Sequence, residues 1–299
     1  MRLIENLALF LKIIEKGSLV AAGKEAGLSS TTVSERLAAL EAHYGVVLIN
    51  RTTRSISLTD EGRVLVEGAR LVLEETEDLE SRIRHGAKNL SGHIRISAPS
   101  DLGQTVVASE IDRFRSAHPA VSFELLLSDG YVDVVGEGID LAVRFGQIPD
   151  TTLRARIVSN KHRIVCAAPS YLKNREGPNK PEDLEFHNCL LMRFGSDLQN
   201  VWRFGPSKNP QLVTVSGDRI ANDGRLVRRW CVEGHGLAFK SEMDVAADVK
   251  SGRLVEVLSE FRQPPRPLQL LFPPSRRQPR RVNEFANSLT SRLKEPDLA

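Results

Sequence analysis

Apolar residues in the first part of the chain recur at helical spacing. Leu3, Leu7, Phe10, Leu11 and Ile14 fall at i, i+4, i+7, i+8 and i+11, which predicts an amphipathic helix. Gly17-Ser18 ends it, and Ser18 is placed to cap a short second helix over Leu19 to Ala26. Gly27 then supplies a left-handed turn, and Ser29 is the predicted N-cap of a third helix. In that helix Val33, Leu37, Leu40 and Tyr44 form the expected buried stripe. At about 100° per residue, Thr31, Glu35, Ala38 and Ala42 lie opposite it, with Ser34 on its flank.

A helix with small hydroxyls at its exposed N-terminal end, set against another helix by a glycine turn, suits the DNA major groove. Small side chains allow close approach, and free N–H groups favour phosphate. An αα-hairpin in a helical bundle is the alternative reading of these helices alone. The next stretch, "VVLINRTTRSISLT", reads as two short extended pieces around Arg51-Thr52-Thr53-Arg54, a hairpin with cations at its tip suited to a phosphate backbone. Three helices followed by such a hairpin make a winged helix-turn-helix over residues 1–59. The candidate DNA-binding residues are Ser29, Ser30, Thr31, Thr32, Ser34, Glu35, Arg36, Arg51, Thr53 and Arg54.

From Asp60 the pattern lengthens. Thr59 is a cap, Asp60 and Glu61 favour the first turn, and Leu65, Ala69, Val72, Thr76, Leu79 and Ile83 alternate spacings of four and three. That is a heptad seam suited to dimerisation, over a linker helix at residues 60–90. After "NLSG" the period changes: "HIRISA", "VSFELLL", "DLAVRFG", "RIVCAA", "LVTVSG" and "GLAFKS" read as short strands with helical stretches between them. Strands alternating with helices predict an α/β effector domain with parallel sheets over residues 91–299.

Composition narrows the function without deciding it. The 299 residues are 41% hydrophobic and 26% charged, ordinary for a globular protein, and no apolar run approaches a membrane span. Residues 1–59 carry seven Lys/Arg against five Glu, and residues 60–90 five basic against eight acidic residues, so bulk charge does not single out a nucleic-acid binder. Cys166, Cys189 and Cys231 have no CxxC spacing and no close pair in sequence. They fit a reducing, cytoplasmic location and read as buried structural thiols. The seven histidines lack metal-ligand spacing, and no catalytic constellation, nucleotide loop or cofactor fingerprint is present. An enzyme, a ligand-responsive regulator and an architectural DNA-binding protein are the three readings this leaves to compare. "PPSRRQPRRV", with Arg276, Arg277, Arg280 and Arg281, reads as a solvated basic turn.

The segment from Ser18 through Glu41, together with "LINRTTR", "SLTDEG", "GHIRISAP", "GEGIDLAVRFG", "CAAPSYL" and "SGRLVEVL", resembles the LysR-type transcriptional regulators of bacteria over nearly the whole chain. "DLAVRFG" and "RTTR" resemble its CrgA-like subgroup. The resemblance implies dimerisation through the linker helix and a family tendency to tetramers. It also implies an interrupted palindromic operator in double-stranded DNA, and RNA polymerase as a partner where such a protein activates. It further implies an effector domain like a periplasmic binding protein, crossed twice by the chain, near Arg163-Ile164 and Gln263-Pro264. Subdomain I is then about 91–163 and 264–299, and subdomain II about 164–263. Ligands in open α/β folds sit at strand carboxyl ends, beside helix N-termini. That rule and the resemblance select Ser100 and Asp101, Ser128 and Asp129, Arg144 and Phe145, and Asn222 and Asp223. The effector expected is a carboxylate-bearing metabolite, with the amides near Ser100 holding the carboxylate; no metal or cofactor is expected. Gly23 departs from the family's usual alanine, at an expected cost of ~1 kcal/mol to its helix. Glu35, where Arg, Gln or Ala is common, predicts an unusual base preference because a carboxylate accepts from cytosine N4.

Overall fold

The computed structural model describes residues 2–51, 56–85, 90–146, 152–173, 175–274 and 278–294. The chain divides into two compact units, one of residues 1–92 with 277–280 and one of residues 93–276 with 281–299.

The first unit holds α1 (Leu3–Lys16), α2 (Leu19–Ala26), α3 (Ser30–Tyr44), the strands β1 (Ile49–Arg51) and β2 (Ile56–Leu58), and the long α4 (Asp60–His85). Each start and stop has a local cause. Ser18 Oγ accepts from the Ala21 amide and Ser29 Oγ from the Thr32 amide, while Thr59 Oγ1 accepts from the Gly62 amide at 2.9 Å. Gly27, with φ of +65°, closes α2 and aims the chain into α3. Phe10, Ile13, Val33, Leu37, Leu40 and Leu48 form the core, joined by Val66 and Ala69 of α4. Tyr44 departs from its expected place in the stripe: it is 43% exposed, because α3 ends there at Gly45 and runs past the core. Gly23 is explained by close approach, since a Cβ there would lie 2.8 Å from the Leu28 carbonyl oxygen and 3.0 Å from Val33 Cγ2.

The second unit contains two mixed sheets rather than parallel ones. Its elements run β3 (Gly92–Ala98), α5 (Ser100–Leu102), a π-helical turn (Gly103–Val107), α6 (Ala108–Ala117), β4 (Val121–Leu127), β5 (Leu141–Phe145) and β6 (Arg154–Lys161). After the first crossing come β7 (Arg163–Ala167), α7 (Pro169–Leu172), β8 (Cys189–Phe194), β9 (Asp197–Leu198), β10 (Val201–Phe204), β11 (Gln211–Thr214) and β12 (Ile220–Ala221). Then follow α8 (Gly224–Val232), β13 (Leu237–Ser241), α9 (Glu242–Lys250) and β14 (Val255–Val257). The chain returns through β15 (Arg266–Phe272) and ends in α10 (Arg280–Lys294). One sheet has the order β4-β3-β5-β15-β6, the other β12-β8-β13-β7-β14 with β9 beside β8. β3 is parallel to β5 and β8 to β13, but β15 returns antiparallel to both β5 and β6, and β13 lies antiparallel to β7. A strand that re-enters its sheet from the other subdomain has no βαβ crossover to impose a parallel direction.

The second sheet is covered on both faces, and β7 divides its side chains accordingly. Val165 and Ala167 join Trp202 and Phe239 on one side, and Ile164 and Cys166 join Val227 and Cys231 on the other. The cysteines expected to have no close pair do have one in space: Cys166 Sγ and Cys231 Sγ lie 4.0 Å apart, both buried, contributed by β7 and α8. In the first sheet's subdomain, Phe114, Phe123 and Phe285 stack edge-to-face and tilted, fixing α6 and α10 on the sheet. Arg281 departs from the basic turn expected there: it is buried, its Nε donating to the His93 carbonyl. Arg276 and Arg277 lie outside the described residues.

Candidate functional site

Two places collect the candidate residues, one in each unit. On α3, Ser30, Thr31 and Glu35 are exposed, and Thr32 and Ser34 are half-buried. Ser29 Oγ is committed to capping and lies 2.9 Å from Thr32 Oγ1, so the first turn is held rigid by its own hydroxyls. Arg36 turns toward α1, its Nη1 3.5 Å from Glu5 Oε2, which leaves it half-committed to structure. Among the described residues Glu35 has no ion pair within 4 Å. Thr53, Arg54 and the side chain of Arg51 lie outside the described residues.

On α4, the heptad seam is split. Ala69 is 1% exposed, and it and the half-buried Leu65 pack on the unit's own core. Val72, Leu79 and Ile83 are exposed, Ile83 by 75%. Thr76 Oγ1 donates to the Val72 carbonyl one turn back.

The second place lies inside the effector unit. The chain passes between the two sheets at His162 and again over residues 262–265, and a cavity of about 230 Å³ opens between the subdomains. Asp101, Asp129, Arg144 and Phe145 line it from the first subdomain; Met192, Gly224, Phe239, Lys240, Ser241 and Asp244 line it from the second. Lys161, His162, Arg163 and Arg266 border it at the crossings. Ser100, Ser128, Asn222 and Asp223 do not line it. Ser128 donates its amide to the Ala98 carbonyl, Asn222 is exposed, and Asp223 caps α8 by accepting from the Leu226 amide at 2.9 Å.

The Ser100 amide is already occupied. Asp129 Oδ1 accepts from it at 3.0 Å, and Asp129 Oδ2 accepts from the Gly224 amide at 2.8 Å. One carboxylate of the protein thus joins a helix N-terminus of each subdomain, where the helix dipoles favour an anion. The seat expected for an effector carboxylate is filled from within. A Cβ at Gly224 would lie 2.8 Å from Lys240 Nζ and 3.2 Å from Asp101 Oδ2, so a larger residue there would displace the Lys240 ammonium.

Lys240 makes the second bridge. Its ammonium lies 2.5 Å from Asp101 Oδ2 across the cleft, 3.5 Å from Asp244 Oδ2 and 3.0 Å from the Gly224 carbonyl. Burial pulls this ammonium down, and the negative charges of Asp244 and Asp101 more than offset that, holding it above its ordinary value. Burial pushes the Asp244 carboxyl up to about 6, against the pull of Lys240 and with the repulsion of Asp101 and Asp129. Arg144 and Arg163 line the same cavity. Arg144 donates to Ser97 Oγ and the Val143 carbonyl, Arg163 to the Phe239 carbonyl while lying over the Phe239 ring. Neither has a carboxylate within 4 Å among the described residues, and burial lowers both guanidinium groups to about 10.

Lys240, Ser241, Asp244 and Arg163 were missed in the sequence reading. The signal for Lys240 was present, because "GLAFKS" carries a lysine inside a strand whose five residues are all buried. Its meaning lay in Asp101, 139 residues away.

Residues 4–63 match the family described as bacterial regulatory helix-turn-helix protein, lysR family, and residues 87–294 match the LysR substrate binding domain. The HTH-type transcriptional regulator DmlR of Escherichia coli is 32% identical over 88% of this chain and 85% of its own length. The HTH-type transcriptional activator AaeR of the same species is 30% identical over 97% of this chain and 94% of its own. Among solved structures, CrgA of Neisseria meningitidis is 26% identical with a TM-score of 0.64, and AphB, the Vibrio cholerae virulence activator, 27% with 0.60. Both alignments cover 97% of this chain and 99% of the other. Two domain matches that together span most of the chain, and relatives aligned along nearly all of it, assign both units at once. The chain belongs to the LysR family of DNA-binding transcriptional regulators.

Proposed function

We propose that this regulator binds an interrupted palindromic operator in cytoplasmic double-stranded DNA as a homodimer, with tetramers formed from pairs of dimers. It uses residues 1–59 as the winged helix-turn-helix, residues 60–90 as the linker and residues 91–299 as the effector domain. The exposed turn of Ser30, Thr31 and Glu35 enters the major groove, and Arg51, Thr53 and Arg54 flank it on the backbone. Val72, Leu79 and Ile83 supply the dimer contact; Leu65 and Ala69 brace it from the core. RNA polymerase is the further partner at promoters it activates.

We further propose that a small carboxylate-bearing effector binds between the effector subdomains. The observation that carries this is the pair Arg144 and Arg163, two cations at one cavity with no carboxylate partner among the described residues. The carboxylate seats against them rather than at the Ser100 amide, which Asp129 fills. Asp129 and Lys240 bridge the subdomains, so an effector that favours one closure changes the DNA-binding heads through the linker. Such coupling requires different effector affinities in the two states.

Retention of sheared genomic DNA on the full-length protein at near-physiological salt, followed by sequencing, tests the reading. A few enriched sites sharing an interrupted palindrome support it. Uniform retention that vanishes as salt rises would refute it in favour of architectural binding.

A further inference from the structure

The acidic end of the cavity has more acceptors than the protein uses. Asp101 Oδ1, Asp244 Oδ1 and Ser241 Oγ are buried and have no hydrogen-bond partner, and all three residues line the cavity. Asp101 is 4% exposed, and its other oxygen is taken by Lys240. Buried polar atoms are nearly always satisfied, so three orphans on residues that line one cavity mark a place for a donor. An ionised carboxylate can only accept, which fixes the chemistry of the missing partner. The same cavity also presents groups that only donate, the guanidinium groups of Arg144 and Arg163.

Resting on the reading of this cleft as the effector site, we infer that the effector is a small carboxylate that also carries an ammonium or hydroxyl group. Its carboxylate meets Arg144 and Arg163, and its donor group meets Asp101, Ser241 and Asp244. A ligand with a carboxylate at each end and no donor places like charge against Asp101 and Asp244. A diamine places like charge against Arg144 and Arg163. Phe145, Met192 and Phe239 give the carbon skeleton apolar wall in the same cavity. The volume of about 230 Å³ equals roughly eight waters at ~30 Å³ each, which limits the molecule to metabolite size.

Calorimetric titration of the full-length protein with matched acids tests this. The probes are propionate, lactate and alanine; butyrate, γ-hydroxybutyrate and γ-aminobutyrate; glutarate, hydroxyglutarate and glutamate; and putrescine. In at least one trio the amino or hydroxy member should bind at least tenfold tighter than the unsubstituted acid, and the winning arm identifies the donor. Asp244→Asn and the milder Ser241→Ala should each shrink that ratio, with unliganded thermal unfolding confirming that both variants fold. If the unsubstituted acid binds as tightly as its partners, the inference fails; the cleft reading then stands provided Arg163→Met abolishes the binding. If Arg163→Met leaves binding intact, the cleft reading fails as well. Preferential binding of putrescine, or binding of none of the probes, overturns the inference.

Discussion

Lys240→Met isolates what the buried lysine contributes. Methionine keeps an unbranched stem of similar volume, so the change removes charge with little loss of packing. It leaves Asp101, Asp129 and Asp244 together, with Lys240's bonds to Asp101, Asp244 and Gly224 lost at once. Removing one partner of a buried pair costs about 3–5 kcal/mol, because the other charge stays buried. That is a large share of the ~5–15 kcal/mol typical of a domain, yet it leaves a folded population to measure.

The pH dependence gives the experiment its second axis. Asp244 faces Lys240, Asp101 and Asp129 at close quarters and feels Arg163 and Arg228. Its folded value of about 6 lies above the ordinary range of an aspartate carboxyl, so the native state holds the proton longer than the unfolded chain. Stability from this group is greatest below its unfolded value and falls as pH rises through about 6, by about 3 kcal/mol in all. Without Lys240 the Asp244 carboxyl takes its proton more readily, so the variant's deficit must be large at pH ~7.5 and smaller at pH ~5. Urea unfolding followed by tryptophan fluorescence reads this cleanly, because Trp202 and Trp230, the two tryptophans of the chain, both lie in the effector unit. A deficit under ~1 kcal/mol at pH ~7.5 would show that water, not Lys240, balances the cluster. An equal deficit at both pH values would show that the loss is one of packing. Partial recovery in Lys240→Met with Asp244→Asn is expected, since the second change removes a stranded charge.

Four further outcomes are expected. Glu35→Gln should change the bases selected at one position of each half-site; unchanged selected sequences would remove Glu35 from base recognition. Ser29→Ala should lower the stability of the first unit by ~1 kcal/mol and weaken DNA binding, read by thermal unfolding and fluorescence anisotropy, because the Thr32 amide loses its acceptor. Gly23→Ala, which helix propensity alone favours by ~1 kcal/mol, should destabilise instead, because its Cβ meets the Leu28 carbonyl at 2.8 Å; a raised melting temperature would refute the close-packing argument. Native protein at pH ~8 should resist iodoacetamide at all three cysteines. The hydrogen bond shared with Cys231 and burial push the Cys166 thiol well up, burial pushes Cys189 to about 12, and thiolate is the reactive form; rapid labelling of either, seen by mass spectrometry, would contradict this.

The parts of the molecule legible in the sequence were those whose causes are local. Ser18, Ser29 and Thr59 act on amides three residues away, Gly27 acts at its own φ, and the α1 and α3 stripes repeat within one helix. Tyr44 failed the periodic rule because periodicity says which face a side chain takes and not how far the core extends under the helix. β6 escaped notice for a related reason: "RARIVSNK" is a mostly exposed edge strand with Ile157 facing out, so it lacks an apolar alternation.

The cleft was legible only as a set of loops. Choosing among them required contacts that no window contains: Asp129 meets Gly224 across 95 positions, and Asp101 meets Lys240 across 139. The loop rule selected strand ends from which Asp101, Asp129, Arg144 and Phe145 line the cavity, but it assumed that helix N-termini await an outside anion. Here Asp129 fills that role and ties the subdomains together. The cavity's cations with no carboxylate within 4 Å among the described residues are then Arg144, at a strand end the rule selected, and Lys161, Arg163 and Arg266, at crossings it did not consider. With an internal anion at the helix ends, the proposed effector carboxylate is directed toward the crossings. Because the chain passes between subdomains there, a ligand held at Arg163 and at Asp244 contacts the hinge and a wall of the cleft together. That is the arrangement in which binding energy can favour one closure over another.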